Sequence, residues 1–228
     1  MNAITKERWQ QAQDAEIKFQ QPSKELAVQH FRSSYGHYFE ILDIPADLKE
    51  KTIIEIGCAD VPAMFFCRNL LGVVIEPLDY PALGEVVKDA GFDWIKQPVE
   101  EIEQKLQADE IWLLNVMQHI IDPDAFIEKV KSWAPVIRFF EPINYPTCEY
   151  HPHTFTLEDY REYFGDAVRF YQGGSRPGFH TADCVFGVWE DKAWKPSEEQ
   201  IKDFIDAENK HFVNELEAKK PERSSKKK

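Results

Sequence analysis

Short apolar runs recur along the chain, and stretches with helical periodicity separate them. The runs at 52–56, 72–76, 109–114 and 135–141 do not alternate with polar residues, so they predict strands buried on both faces. A weaker strand is expected at 92–96 (FDWIK). Helix-like segments at 62–71, 81–90, 99–107 and 122–133 fall between them, and this repeated order predicts a parallel sheet with helices on both faces. Upstream, residues 4–20 read as a helix with a rough stripe of Trp9, Ala12, Ile17 and Phe19. Gln21-Pro22-Ser23 interrupts it, and Ser23 can cap a second helix reaching about Leu42. After Pro142 the rhythm changes. A loop at 143–155 leads to a capped helix from Thr156 to Phe164, with Glu158 and Asp159 in its first turn. Strand-like runs at 167–172 and 181–189, joined by GGSRPG, predict an antiparallel hairpin. A polar helix at 196–218 and a lysine-rich tail at 219–228 end the chain.

At 228 residues the expected organisation is one domain with appendages. These are N-terminal helices at 1–45, a sheet domain at 46–192, a C-terminal helix at 193–218 and a disordered basic tail at 219–228. Hydrophobic residues at 43% and aromatics at 13% suffice for a large core. The net charge is −13, and removing the tail leaves 21 basic against 39 acidic residues. Such a body repels phosphate backbones, so nucleic acid is not expected as a partner. Cys58, Cys67, Cys148 and Cys184 form no CxxC pair, which argues against zinc ribbons and disulfide frameworks. No apolar run reaches membrane-spanning length, and the polar N-terminus does not resemble a signal peptide. The expectation is a cytoplasmic protein without a membrane partner or a metal.

The stretch TIIEIGCADVP (52–62) is strand, then turn, with one glycine where a nucleotide-binding loop has several. A dinucleotide fold needs G-x-G-x-x-G to bring backbone N–H groups against a pyrophosphate, and here those positions are Gly57, Ala59 and Pro62. Proline has no N–H to offer. No Walker lysine follows, so phosphate binding is disfavoured, and a nicotinamide oxidoreductase with it. The next strand ends in Glu76-Pro77, and an acid at that tip can accept hydrogen bonds from a ribose diol. A strand-to-helix turn and a solvated strand-end acid are the structural alternatives.

The chain resembles a class I S-adenosylmethionine (SAM)-dependent methyltransferase of the bacterial small-molecule type over roughly residues 5–190. Glu55 and Gly57 match the first two fixed positions of that family's acidic–x–Gly–x–Gly–x–Gly turn, while Ala59 and Val61 replace its later glycines. ADEIWLLNVMQHIIDPDAFI (108–127) resembles the fourth-strand segment, through Asp109, Val116, Met117, His119 and Pro123. IRFFEPIN (137–144) is similar to the fifth strand, HPHTFTLEDYREYFG (151–165) to a histidine-rich segment before a helix, and TADCVFGVWE (181–190) to the last strand.

The resemblance implies an α/β, Rossmann-like sheet of seven strands, six parallel and the last antiparallel, under an N-terminal helical lid. It implies SAM as cofactor, with contacts from Glu55, Gly57, Cys58, Ala59, Glu76, Pro77, Asn115 and Val116, and with adenine near Gln97 to Val99. The implied activity is transfer of a methyl group to O or N of a small molecule, with a sugar or glycan intermediate as one candidate. The alternative is a non-catalytic binding module or partner subunit that keeps the fold. Methyl transfer is an in-line displacement, and a base is needed only for an acceptor with a high-pKa proton. His119, His151 and His153 are the candidate bases, with Tyr35 and His37 as candidate lid residues. Cys148, His151 and His153 lack an acid–His pattern that would make them a metal site.

Overall fold

The computed structural model describes residues 3–21, 23–176 and 178–193, and the chain up to Asp191 forms one compact unit. The expected helix at 196–218 and the basic tail lie outside the described residues.

Two capped helices open the chain. In α1 (Lys6–Glu16) the Thr5 hydroxyl accepts from the Arg8 N–H, and in α2 (Lys24–Ser34) Ser23 accepts from the Leu26 N–H. The expected run to Leu42 is interrupted, because Tyr35 leaves helical geometry and the chain resumes as a short α3 (Tyr38–Ile41). Gly36 sits where a β-carbon would lie 2.9 Å from the Arg32 carbonyl oxygen, so the crossing needs glycine.

The sheet contains β1 (Asp47–Ile56), β2 (Arg68–Ile75), β3 (Asp93–Ile95), β4 (Glu110–Leu114), β5 (Val136–Pro142), β6 (Arg169–Tyr171) and β7 (Cys184–Glu190). Their order is β3-β2-β1-β4-β5-β7-β6. β1 to β5 pair in parallel, while β7 runs antiparallel to both β5 and β6. Six strands therefore share one direction and the last opposes them. The helices α4 (Pro81–Ala90), α5 (Pro123–Trp133) and α6 (Leu157–Phe164) match expectation. The Thr156–Asp159 capping box starts α6.

Two expected helices are absent. Of 62–71, only Ala63–Phe66 coils, as a single 3₁₀ turn, and Arg68 onward joins β2. The Glu55 carboxylate accepts from the N–H groups of Ala63 and Met64 at 2.7 and 2.9 Å, and the β-branched run that follows pairs with β1. Of 99–107, only Val99–Glu101 makes a turn. Lys129 donates to the carbonyls of Val99, Glu100 and Ile102 at 2.9–3.0 Å, taking acceptors that a continuing helix would need.

Alternate strand residues feed two cores. Ile54, Ile56, Ile111, Leu113, Ile137 and Phe139 face α5 and α6, which contribute Phe126, Val130, Trp133 and Phe164. On the opposite face Ile53, Trp112 and Phe140 meet Ala27 and Phe31 of α2 and Leu83 and Val86 of α4. No helix among the described residues is long and apolar enough to cross a membrane.

Candidate functional site

Strand order reverses between β1 and β4, and in open α/β sheets ligands collect beyond the strand ends at such a point. A cavity lies there, floored by the turns after β1, β2 and β4 and walled by α1, α2 and α3.

The turn after β1 depends on two left-handed residues. Gly57 has φ 65°, and a β-carbon there would lie 2.2 Å from Val116 Cγ2. Ala59 has φ 50°, a conformation that glycine adopts far more readily than alanine. The turn thus has glycine-like backbone at a position occupied by alanine. Val61 is buried in the second core.

Three buried carboxylates hold the loops at the strand tips. Glu55 binds the turn at 63–64 as described. Glu76 accepts from the Ala59 N–H at 3.1 Å and from the Leu78 N–H at 3.0 Å, tying the turn after β1 to the segment after β2. Glu141, at the tip of β5, accepts from the N–H groups of Val116 and Met117 at 3.0–3.1 Å. Asn115, with φ 66°, donates its N–H to the Phe140 carbonyl at 2.8 Å. Burial pushes Glu55 and Glu76 up to about 7 and Glu141 up to about 8, against the opposing pull of their N–H donors.

The cavity brings together Glu55, Gly57, Cys58, Ala59, Glu76 and Pro77 from the first two strands, with Val99, Asn115, Val116 and His119. Gln97 is outside that lining, although its neighbours Pro98 and Glu100 are in it. The far wall was not anticipated, Tyr35 apart: it is built from Trp9, Gln13 and Glu16 of α1, Phe31 of α2, and Tyr35 and Tyr38 beyond it. The rings of Tyr35 and Tyr38 stack at 5.7 Å, and the Tyr38 hydroxyl meets His180 Nε2 at 2.8 Å. His37 stands apart from the cavity and packs edge-on against Phe179.

The three candidate bases have different surroundings. His119 Nδ1 lies 3.1 Å from the Tyr150 carbonyl, so that nitrogen carries the hydrogen and Nε2 presents its lone pair. His151 packs edge-on to His119, with ring centroids 4.8 Å apart, and lies outside the cavity lining. His153, buried and also outside the lining, contacts the Ile120 carbonyl through Nε2 at 2.9 Å and so fastens its loop. Burial pushes His119 down to about 3 and His151 down to about 4, which keeps both imidazoles neutral near pH 7.

The solved structures that match this fold at a TM-score of 0.50 or above include two described by name. One is a methyltransferase in complex with the Haloferax volcanii Trm112 methyltransferase activator, with TM-score 0.51 and 11% identity over 83% of this chain and 100% of that one. The other is the StiE O-MT segment 961–1257, with TM-score 0.50 and 10% identity over 73% and 75% of the two chains. The N-methyltransferase NodS from Bradyrhizobium japonicum WM9, solved with S-adenosylhomocysteine, gives TM-score 0.49 and 17% identity over 74% and 86%. A scan of protein-family models and a search of curated proteins each returned no match. At these identities the likeness concerns architecture. The chain has the class I SAM-dependent methyltransferase fold, with a seven-stranded sheet whose last strand is antiparallel.

Proposed function

We propose that this chain binds SAM in the cavity at the β1–β4 switch point and transfers its methyl group to O or N of a small-molecule acceptor. The observation that carries this reading is the junction of Gly57, Ala59 and Glu76. A turn with glycine-like backbone after β1 and a buried carboxylate after β2 face the same cavity. Each Glu76 oxygen has one backbone donor and a further lone pair, leaving capacity for a ribose diol. Asn115, Val116 and Val99 offer apolar and amide surface on the side expected for adenine. Glu16, Glu55 and Glu76 surround the cavity with acidic groups, which favours a positively charged sulfonium over a phosphate. SAM supplies the electrophilic methyl group when bound. The residues of this chain hold cofactor and acceptor in line and exclude water, and alignment of this kind accounts for much of the rate in such displacements. The aromatic wall of Trp9, Phe31, Tyr35 and Tyr38 suits an acceptor with an apolar face, and a sugar ring is within that class.

A non-catalytic binding module is the second reading. It is favoured by the low pKa of His119, which is poorly matched to general-base work at neutral pH. Calorimetry with SAM and S-adenosylhomocysteine tests the cofactor. Glu76→Ala is expected to weaken both by about 1.5–3 kcal/mol, the range for a hydrogen bond to a charged group. Equal affinity in the variant would remove Glu76 from the site, and a response to NAD alone would overturn the proposal. Turnover of an acceptor then separates the enzyme from the binding module.

A further inference from the structure

The wall of the cavity carries a second constellation, one that methyl transfer by positioning does not use. Glu16 at the end of α1, His119 after β4 and His151 on the 143–156 loop each place one potential donor atom within 4.8 Å of the other two. These groups come from three separate parts of the chain, so helical or loop periodicity does not explain their meeting. The His151 Nδ1 atom is buried with no hydrogen-bond partner. A buried polar atom of this kind costs free energy unless something pairs with it.

His119 shows the orientation that metal-binding imidazoles share. One ring nitrogen, Nδ1, donates to a backbone carbonyl, which fixes the tautomer and leaves the lone pair on Nε2, where the Gln118 amide makes a long contact of 3.4 Å that a metal ion would displace.

We propose that Glu16, His119 and His151 form a binding site for one divalent transition-metal ion of the zinc class. Two imidazoles and one carboxylate are a nitrogen-rich set that suits zinc and its neighbours and disfavours magnesium, which takes oxygen ligands. Tetrahedral zinc with bonds of about 2.0–2.1 Å needs donors about 3.4 Å apart, so a cluster whose donors lie within 4.8 Å has at most about 1.4 Å to close. Three protein ligands leave a fourth position open. Glu16 and His119 line the cavity, so that position can take a water or the heteroatom of an acceptor. A hydroxyl bound there would lose its proton more readily, which supplies the activation that His119 alone is poorly placed to give. That catalytic consequence rests on the proposed methyl transfer; the metal site itself does not.

The test uses full-length protein stripped with a chelator and dialysed, then titrated with Zn²⁺, Co²⁺ and Mg²⁺ in competition with a chromophoric chelator. One Zn²⁺ or Co²⁺ per chain should bind with a dissociation constant in the micromolar range or below, Mg²⁺ should not compete, and Co²⁺ should give visible absorption bands of low-symmetry coordination. His119→Ala and His151→Ala should each weaken binding at least tenfold. Glu16→Gln, which keeps the shape of the side chain, should do so without a change in circular dichroism. Zinc affinity unchanged in all three variants, or no stoichiometric zinc binding by folded wild type, would overturn the site. S-adenosylhomocysteine affinity is measured on the same samples. Cofactor binding without metal binding sinks the metal site alone, and metal binding without cofactor binding sinks the proposed function alone.

Discussion

Ala59 occupies a backbone conformation that disfavours its own β-carbon, at φ 50°. Left-handed geometry costs an L-residue roughly 1–2 kcal/mol, and the added freedom of glycine in the unfolded chain returns about 0.4–1 kcal/mol of that. Ala59→Gly should therefore raise the melting temperature by a few degrees while changing cofactor affinity less than tenfold. A lower melting temperature would contradict the left-handed turn. Gly57→Ala should do the reverse. Its φ of 65° and the 2.2 Å approach to Val116 Cγ2 leave no room for a methyl group, and a loss above about 2 kcal/mol is expected from thermal or urea unfolding. Gly57 and Glu76 were legible in the sequence because strand ends can be read from apolar runs, and the chemistry of a strand tip follows from its position. Trp9, Gln13 and Glu16 were not. Which face of α1 meets the cavity is decided by packing between segments far apart in sequence, and a weak apolar stripe does not encode it.

Whole elements show the same division. The cap at Thr156 and the starts of α4 and α5 followed from local chemistry, as did a strand at each of the seven places, although β1 begins at Asp47 and β2 at Arg68, earlier than expected. The failures at 62–71 and 99–107 both come from distant partners: β1 recruits the first segment from Arg68 onward into the sheet, and in the second a distant side chain takes carbonyls that would have propagated the helix. Glu55 takes the N–H groups of the first segment and Lys129 the carbonyls of the second. Lys129→Met keeps the aliphatic stem but removes three charge-assisted hydrogen bonds. It should destabilise the fold by about 1.5–3 kcal/mol in urea unfolding. A loss below about 0.5 kcal/mol would mean that water replaces the ammonium at those carbonyls.

For the molecule as a whole, the buried carboxylates set a pH dependence. Glu55 and Glu76 titrate at about 7 in the folded protein and Glu141 at about 8, against about 4.3 for an unfolded glutamate. A raised acid pKa means that the native state holds protons the unfolded chain has lost. Stability is then greatest below the unfolded pKa and falls as pH rises to the folded value, by about 1.4 kcal/mol per pH unit for each group. At about pH 6.5 an unfolded histidine is still half protonated while burial keeps His119 and His151 neutral in the fold, so these groups add an opposing rise that fades by about pH 7.5. Between about pH 6.5 and 8 the ligand-free protein should show a net loss of about 2 kcal/mol in urea unfolding, and Glu141→Gln should flatten the upper half of that fall. A level wild-type profile would show that the N–H donors keep all three carboxylates ionised. The placement of β7 between β5 and β6 carries a consequence in time. During synthesis the last strand to emerge among the described residues is an interior one, so β5 waits with an open edge and β6 without a partner until residue 190 has left the ribosome. A nascent chain stalled before Cys184 should be captured by chaperones or aggregate, whereas one released after Glu190 should close its sheet.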